Sequence, residues 1–121
     1  MKRNLDLIRH ILLVTESLDK PKIVADDFVT EIYSYDEVCY HLSLLVNADY
    51  ITAIEVPVLN SRYADYIVKQ LTNSGCDFLD SIRNDTVFNK TKETLFSTVG
   101  TVALEAVKEL ARSTAKNLLG I

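Results

Sequence analysis

Five side chains in the middle of the chain could read or hold a nucleic acid. Tyr40, Ser43 and Asn47 fall within the segment Tyr35 to Ala48; Arg62 follows in the turn between two extended runs, and Lys69 in the second run. Asn is a bidentate partner for a base edge, while Tyr and Ser donate or accept single hydrogen bonds. Arg and Lys neutralise phosphates, which supplies most non-specific affinity. The segment Tyr35 to Ala48 itself contains no Lys or Arg, and it opens with Asp36 and Glu37. Two carboxylates facing a phosphate backbone repel it, so cations must come from Arg62, Lys69 or the N-terminal Lys2, Arg3 and Arg9. A second group, Arg83, Lys90 and Lys92, lies among Asp80, Asp85 and Glu93. It reads either as a phosphate or partner contact or, more simply, as a solvated face with local ion pairs.

Other chemistry lacks its residues. The only histidines are His10 and His41, and nothing clusters with them at ligand spacing, so no metal is expected. His41 flanks an apolar stripe and reads as a hydrogen-bonded structural histidine. Three glycines, Gly75, Gly100 and Gly120, make no phosphate loop. No nucleophile–base arrangement stands out, so neither an enzyme nor a cofactor is expected. Cys39 and Cys76 are too few for a disulfide scaffold, and apolar neighbours suggest two reduced, buried thiols of a cytoplasmic protein.

The elements that must position these groups follow from pattern. A wide apolar arc over Asn4 to Ser17 predicts a helix packed on two neighbours. Val24, Phe28 and Ile32 suit either a strand or a helix; β-branched and aromatic residues tip Ile23 to Tyr33 toward a strand. Ser34 and Glu37 form a capping box for the next helix. Its core side carries Tyr35, Val38, Cys39, Leu42, Leu45 and Val46.

Ile51 to Leu59 and Tyr63 to Leu71 then form a hairpin with its tip at Asn60, Ser61 and Arg62. Ile54, Val56 and Val58 alternate with Ala53, Glu55 and Pro57, as in a half-buried strand. Thr72 caps a helix that breaks near Asn84 and Asp85, and Thr86 to Phe96 continues helically. Gly100 interrupts, and a last helix runs from Thr101 to Leu119. Its stripe, including Ala103, Val107, Leu110 and Leu118, could pack on the first helix or dimerise.

The composition is that of an ordinary globular chain: 48% hydrophobic, 25% charged, with a net charge of -4 that leaves any basic surface local. The basic start is interrupted by Asp6, Arg9 and His10, so no secretory leader is expected. No run reaches the roughly 20 apolar residues of a membrane span.

The segments MKRNLDLIRHILL, YHLSLLVNADYI, LTNSGCDFLDSIRNDTVFNKTKE and KELARSTAKNLLG resemble an uncharacterised bacterial and phage family, the domain-of-unknown-function family DUF2513. FLDSIRNDTVFNKTKE is the most specific of them. The resemblance implies a bacterial cytoplasm and brings no activity with it. Asp49 stands where many winged helices have Gly before the first wing strand, a position Asp tolerates.

The expectation is an α+β fold: a winged helix-turn-helix core over residues 1–84, with a C-terminal helical extension over 85–121. The leading function is a small bacterial or prophage regulatory protein that binds double-stranded DNA, as a homodimer. The alternative is a winged-helix-derived module that binds a protein instead.

Overall fold

The computed structural model describes residues 1–98 and 103–120. Five α-helices and one two-stranded antiparallel sheet are formed among them, a mixed α+β architecture. The chain divides into two compact units, Met1–Cys76 and Asp77–Ile121.

In the first unit, α1 (Leu5–Ser17) starts where the Asn4 side chain accepts the amides of Asp6 and Leu7 at 2.9 and 3.2 Å. That N-cap satisfies two donors that the first helical turn leaves without partners. Leu7, Ile8, Ile11, Leu12 and Thr15 are buried along it.

The expected strand over Ile23 to Tyr33 does not form. Only Ile23 pairs, accepting the Val68 amide at 2.8 Å. The Asp27 carboxylate then takes the Val24 amide (2.8 Å) and Lys20 Nζ (2.5 Å), which curls Ala25–Asp27 into a 3-10 turn. Thr30 Oγ1 accepts the amides of Ile32 and Tyr33, both at 3.1 Å. Short polar side chains here offer the backbone partners that a sheet would otherwise supply, and local bonding overrides β-propensity.

Helix α2 (Tyr35–Asn47) carries the full capping box: Ser34 Oγ accepts the Glu37 amide and Glu37 Oε1 accepts the Ser34 amide. Its end is a Schellman turn. The Tyr50 amide reaches the Leu45 carbonyl (2.9 Å), the Asp49 amide reaches Val46 (3.0 Å), and Asp49 sits at φ 63°.

Strands β1 (Ile51–Val56) and β2 (Asp65–Leu71) pair as expected, but shorter, and the tip turns through Val58–Ser61 with Asn60 at φ 60°. The register jumps at Thr52/Ala53, which pair with Gln70 and Val68 and leave Lys69 as the extra, bulged residue.

Opposed residues share a sheet face. Ala53 and Glu55 lie opposite Val68 and Tyr66, both buried, so this is the inward face. Ile54 and Val56, the residues expected inside, point outward and are 51% and 37% exposed. The partner strand decides the facing: Tyr66 and Val68 offer more area to bury than Ile54 and Val56, and the register drags β1 with them.

Helix α3 (Asn73–Ile82), in which the unit boundary falls, is capped by Thr72, whose hydroxyl accepts the Gly75 amide at 3.0 Å. In the second unit, Asn84 caps α4 (Asp85–Thr98) through the Val87 amide at 3.0 Å. Helix α5 (Leu104–Leu119) packs on α4 and ends at Gly120 in the left-handed region. Its buried residues are Leu104, Val107, Ala111 and Thr114. The Gly100 break and the Thr101 start of the last helix lie outside the described residues. Among those residues no helix is long and apolar enough to cross a membrane.

Candidate interaction surface

The surface to consider is formed by α2 and the hairpin that follows it. Tyr40 is half-buried, with its ring edge-on to Tyr63 of the hairpin loop at 5.9 Å and to His41 at 5.3 Å. Ser43 donates its hydroxyl to the Tyr40 carbonyl at 2.5 Å. These two expected contacts are thus committed to holding the hairpin loop on α2 and to the helix itself. Asn47, Arg62 and Lys69 are exposed. The bulge separates Lys69 from the regular alternation of β2, so that Lys69 and Gln70 are both exposed in succession.

The exposed part of α2 is acidic where it begins. Asp36 is exposed, and Glu37 spends its carboxylate on the cap. The outward row of the hairpin is apolar: Ile54, Val56 and the half-exposed Ile67 opposite Ile54; Leu59, in the loop that follows β1, is 90% exposed. Sequence reading missed this row because Glu55 and Pro57 made the other face look like the solvent side. The signal that could have found it was the bulky pair Tyr66 and Val68 on the partner strand.

Asp65 fixes the hairpin to the rest of the unit. Its Oδ1 accepts the Ala25 amide at 3.1 Å and its own neighbour Tyr66 at 2.6 Å, and its Oδ2 accepts the Tyr35 hydroxyl at 3.0 Å. Burial, followed by this hydrogen bond, holds the Tyr35 phenol above its ordinary range. Burial also pushes the Cys39 thiol up to about 11. Cys39 is buried as expected. Cys76, expected to be buried, is exposed, because its neighbour Gly75 takes the position packed against the Tyr50 backbone.

An open groove of about 400 Å³ runs beside β2, with Glu16, Asp19, Lys20, Lys69, Gln70 and Cys76 among its lining. It mixes both signs of charge. Among the described residues, no group of three or more His, Cys, Asp or Glu could hold a metal ion.

In the second unit, Arg83 bridges Asp80 at 2.9 Å, Lys92 lies over the Phe88 ring at 4.7 Å, and Lys90 is exposed. Of the residues expected to dimerise through the last helix, Val107 is buried, Leu110 is half-buried, Ala103 is exposed at the N-cap and Leu118 is 50% exposed.

No solved structure matches the chain. An uncharacterized protein of Haemophilus influenzae is 39% identical over 121 residues, covering 98% of this chain and 99% of that one. The model of the family described as hypothetical protein (DUF2513) matches residues 2–101. The chain belongs to the DUF2513 family.

Proposed function

We propose that the first unit is a winged-helix-derived module that binds a protein through its hairpin, in a bacterial cytoplasm. The winged-helix reading is supported by the strand order Ile23, β2, β1, with α2 in the position of the reading helix. The single observation that carries the binding reading is the outward row of Ile54, Val56 and Ile67, with the exposed Leu59 in the same hairpin's loop, beside a helix without a cation. Exposed apolar side chains that adjoin one another mark interaction sites. A phosphate backbone offers them nothing.

The second reading, double-stranded DNA, is favoured by the exposure of Asn47, Arg62 and Lys69 on the same unit. A low-salt anisotropy titration with duplex DNA separates the two. Non-specific binders have Kd values of about 10⁻⁴ to 10⁻⁶ M. Absence of binding at tens of micromolar supports a protein partner. Binding that weakens steeply with salt overturns it. Immobilised chain should also retain a stoichiometric protein after nuclease treatment, and Leu59→Asp should release it.

A further inference from the structure

The apolar row lies on a sheet that ends at β1. The sheet contains β1 and β2 in that order, and the far side of β2 is met by the Ile23 bridge. Among the described residues nothing pairs with the other edge of β1. Four of its six residues are exposed and one is half-exposed, so that edge is reachable. A row of unpaired amides and carbonyls is a template for another strand. Pro57 has no amide to donate and limits any pairing to the six residues of β1.

Resting on the reading of the hairpin as a protein-binding surface, we infer that β1 pairs antiparallel with β1 of a second copy of this chain, about a two-fold axis through Ile54. Within Ile51–Val56, the stretch from Thr52 to Val56, TAIEV, is self-complementary in that register, and Ile51 falls opposite Pro57 outside the ladder. Ile54 meets the second copy's Ile54, Thr52 meets Val56, and Ala53 meets Glu55. The one charged residue of the strand is therefore never directly opposite itself, which a like-charge cross-strand pair would penalise. Because Ile54 already lies opposite Ile67, the pairing produces an unbroken apolar row across four strands: Ile67, Ile54, and the same two residues of the second copy. A two-fold interface of this kind is closed and does not propagate into a fibre. An interface built on so short a strand falls in the small, transient class, below about 1,200 Å² in total. Association is reversible and depends on concentration.

Sedimentation equilibrium on the full chain, from low-micromolar to near-millimolar concentration, should show a monomer–dimer equilibrium. Ile54→Glu, which sets two carboxylates against each other on the axis, should remain monomeric throughout with an unchanged circular dichroism spectrum. Register is tested separately in a Cys76→Ser background, where Ile54→Cys should form disulfide-linked dimers several-fold faster than Leu59→Cys, although Leu59 is the more exposed. A wild-type chain that stays monomeric across the range overturns the inference. So does a dimer that survives Ile54→Glu, or faster linking at position 59. A monomer that also fails to bind duplex DNA removes only the second copy and leaves a different protein partner in place. Salt-sensitive duplex binding removes the underlying reading itself.

Discussion

His41 Nε2 accepts the backbone amide of Asn4 at 2.8 Å, while the other ring nitrogen, Nδ1, lies 2.7 Å from the Glu37 carbonyl. One ring thus ties the start of α1 to α2. The geometry requires the neutral tautomer with the proton on Nδ1, because a protonated Nε2 has no lone pair for the Asn4 amide. Burial lowers the His41 pKa, outweighing the Glu37 carbonyl and carboxylate, which raise it. The unfolded chain takes up this proton near pH 6.5, and the folded chain only at lower pH. Stability is therefore full above about 6.5 and is lost as pH falls toward the folded value, at no more than about 1.4 kcal/mol per pH unit for one group. Urea midpoints measured from neutral pH down to about 5 should fall, and His41→Phe should flatten this limb. His41→Phe should itself cost about 1–3 kcal/mol, through two lost hydrogen bonds. An acid limb unchanged by His41→Phe would show that the ring titrates freely.

Gly75 is required by packing. A β-carbon on it would collide with the carbonyl of Tyr50, which is itself held by the Thr72 amide at 3.0 Å. The obstacle is backbone on both sides, and no side chain can swing away. Gly75→Ala should cost about 2–3 kcal/mol, which lowers Tm by roughly 4–8 °C per kcal/mol for a domain of this size. Ser74→Ala, one residue earlier and exposed, should stay within about 0.5 kcal/mol. Thermal melts of the two variants side by side check this.

Helix starts were legible because their signal is local. Ser34 and Thr72 cap the helices as expected, the first helix starts one residue after the expected Asn4, which caps it, and Asn84 starts another at the expected break. The structural role of His41 was legible from its place beside an apolar stripe. What failed depended on partners distant in sequence. Ile23 to Tyr33 has strand composition, yet Asp27 and Thr30 bond their own backbone and only Ile23 finds Val68. The facing of β1 is set by Tyr66 and Val68 across a bulge at Lys69, and alternation within β1 alone carries no information about that. Asp65 joins Ala25 and Tyr35 across forty and thirty residues, a separation at which no sequence spacing speaks.

The two thiols differ in access and should differ in reactivity. Cys39 is fully buried and its pKa is raised to about 11, while Cys76 is exposed. The thiolate is the reacting form, so burial and a raised pKa both protect Cys39. A thiol-alkylating reagent at neutral pH should modify one cysteine per native chain, at Cys76, and both in denaturant. Mass spectrometry of the digested product assigns the site. Equal labelling of both thiols in the native chain would contradict the packing of α2.

Asp49 holds the left-handed position of the α2 Schellman turn at φ 63°, and its carbonyl accepts the Thr72 hydroxyl at 2.6 Å. Both interactions are made by backbone atoms of residue 49, so its side chain can be changed without removing them. A β-carbon costs roughly 1–2 kcal/mol in this conformation, less for Asp and Asn. The Asp49 carboxylate also sits at the negative end of a helix whose last turn has no basic residue, an unfavourable placement of about 0.3–1 kcal/mol. Asp49→Asn removes only the charge and should stabilise by a few tenths of a kcal/mol at low salt, vanishing at high salt. Asp49→Gly removes charge and strain together, offset by unfolded-chain entropy, and should gain about 0.5–1 kcal/mol. Asp49→Ala keeps the β-carbon and loses the tolerance, so it should destabilise despite losing the charge. Denaturant midpoints in the order Gly, Asn, Asp, Ala would confirm that conformation, with charge second, governs this turn. Ala ranking above Asp would assign the control to charge alone.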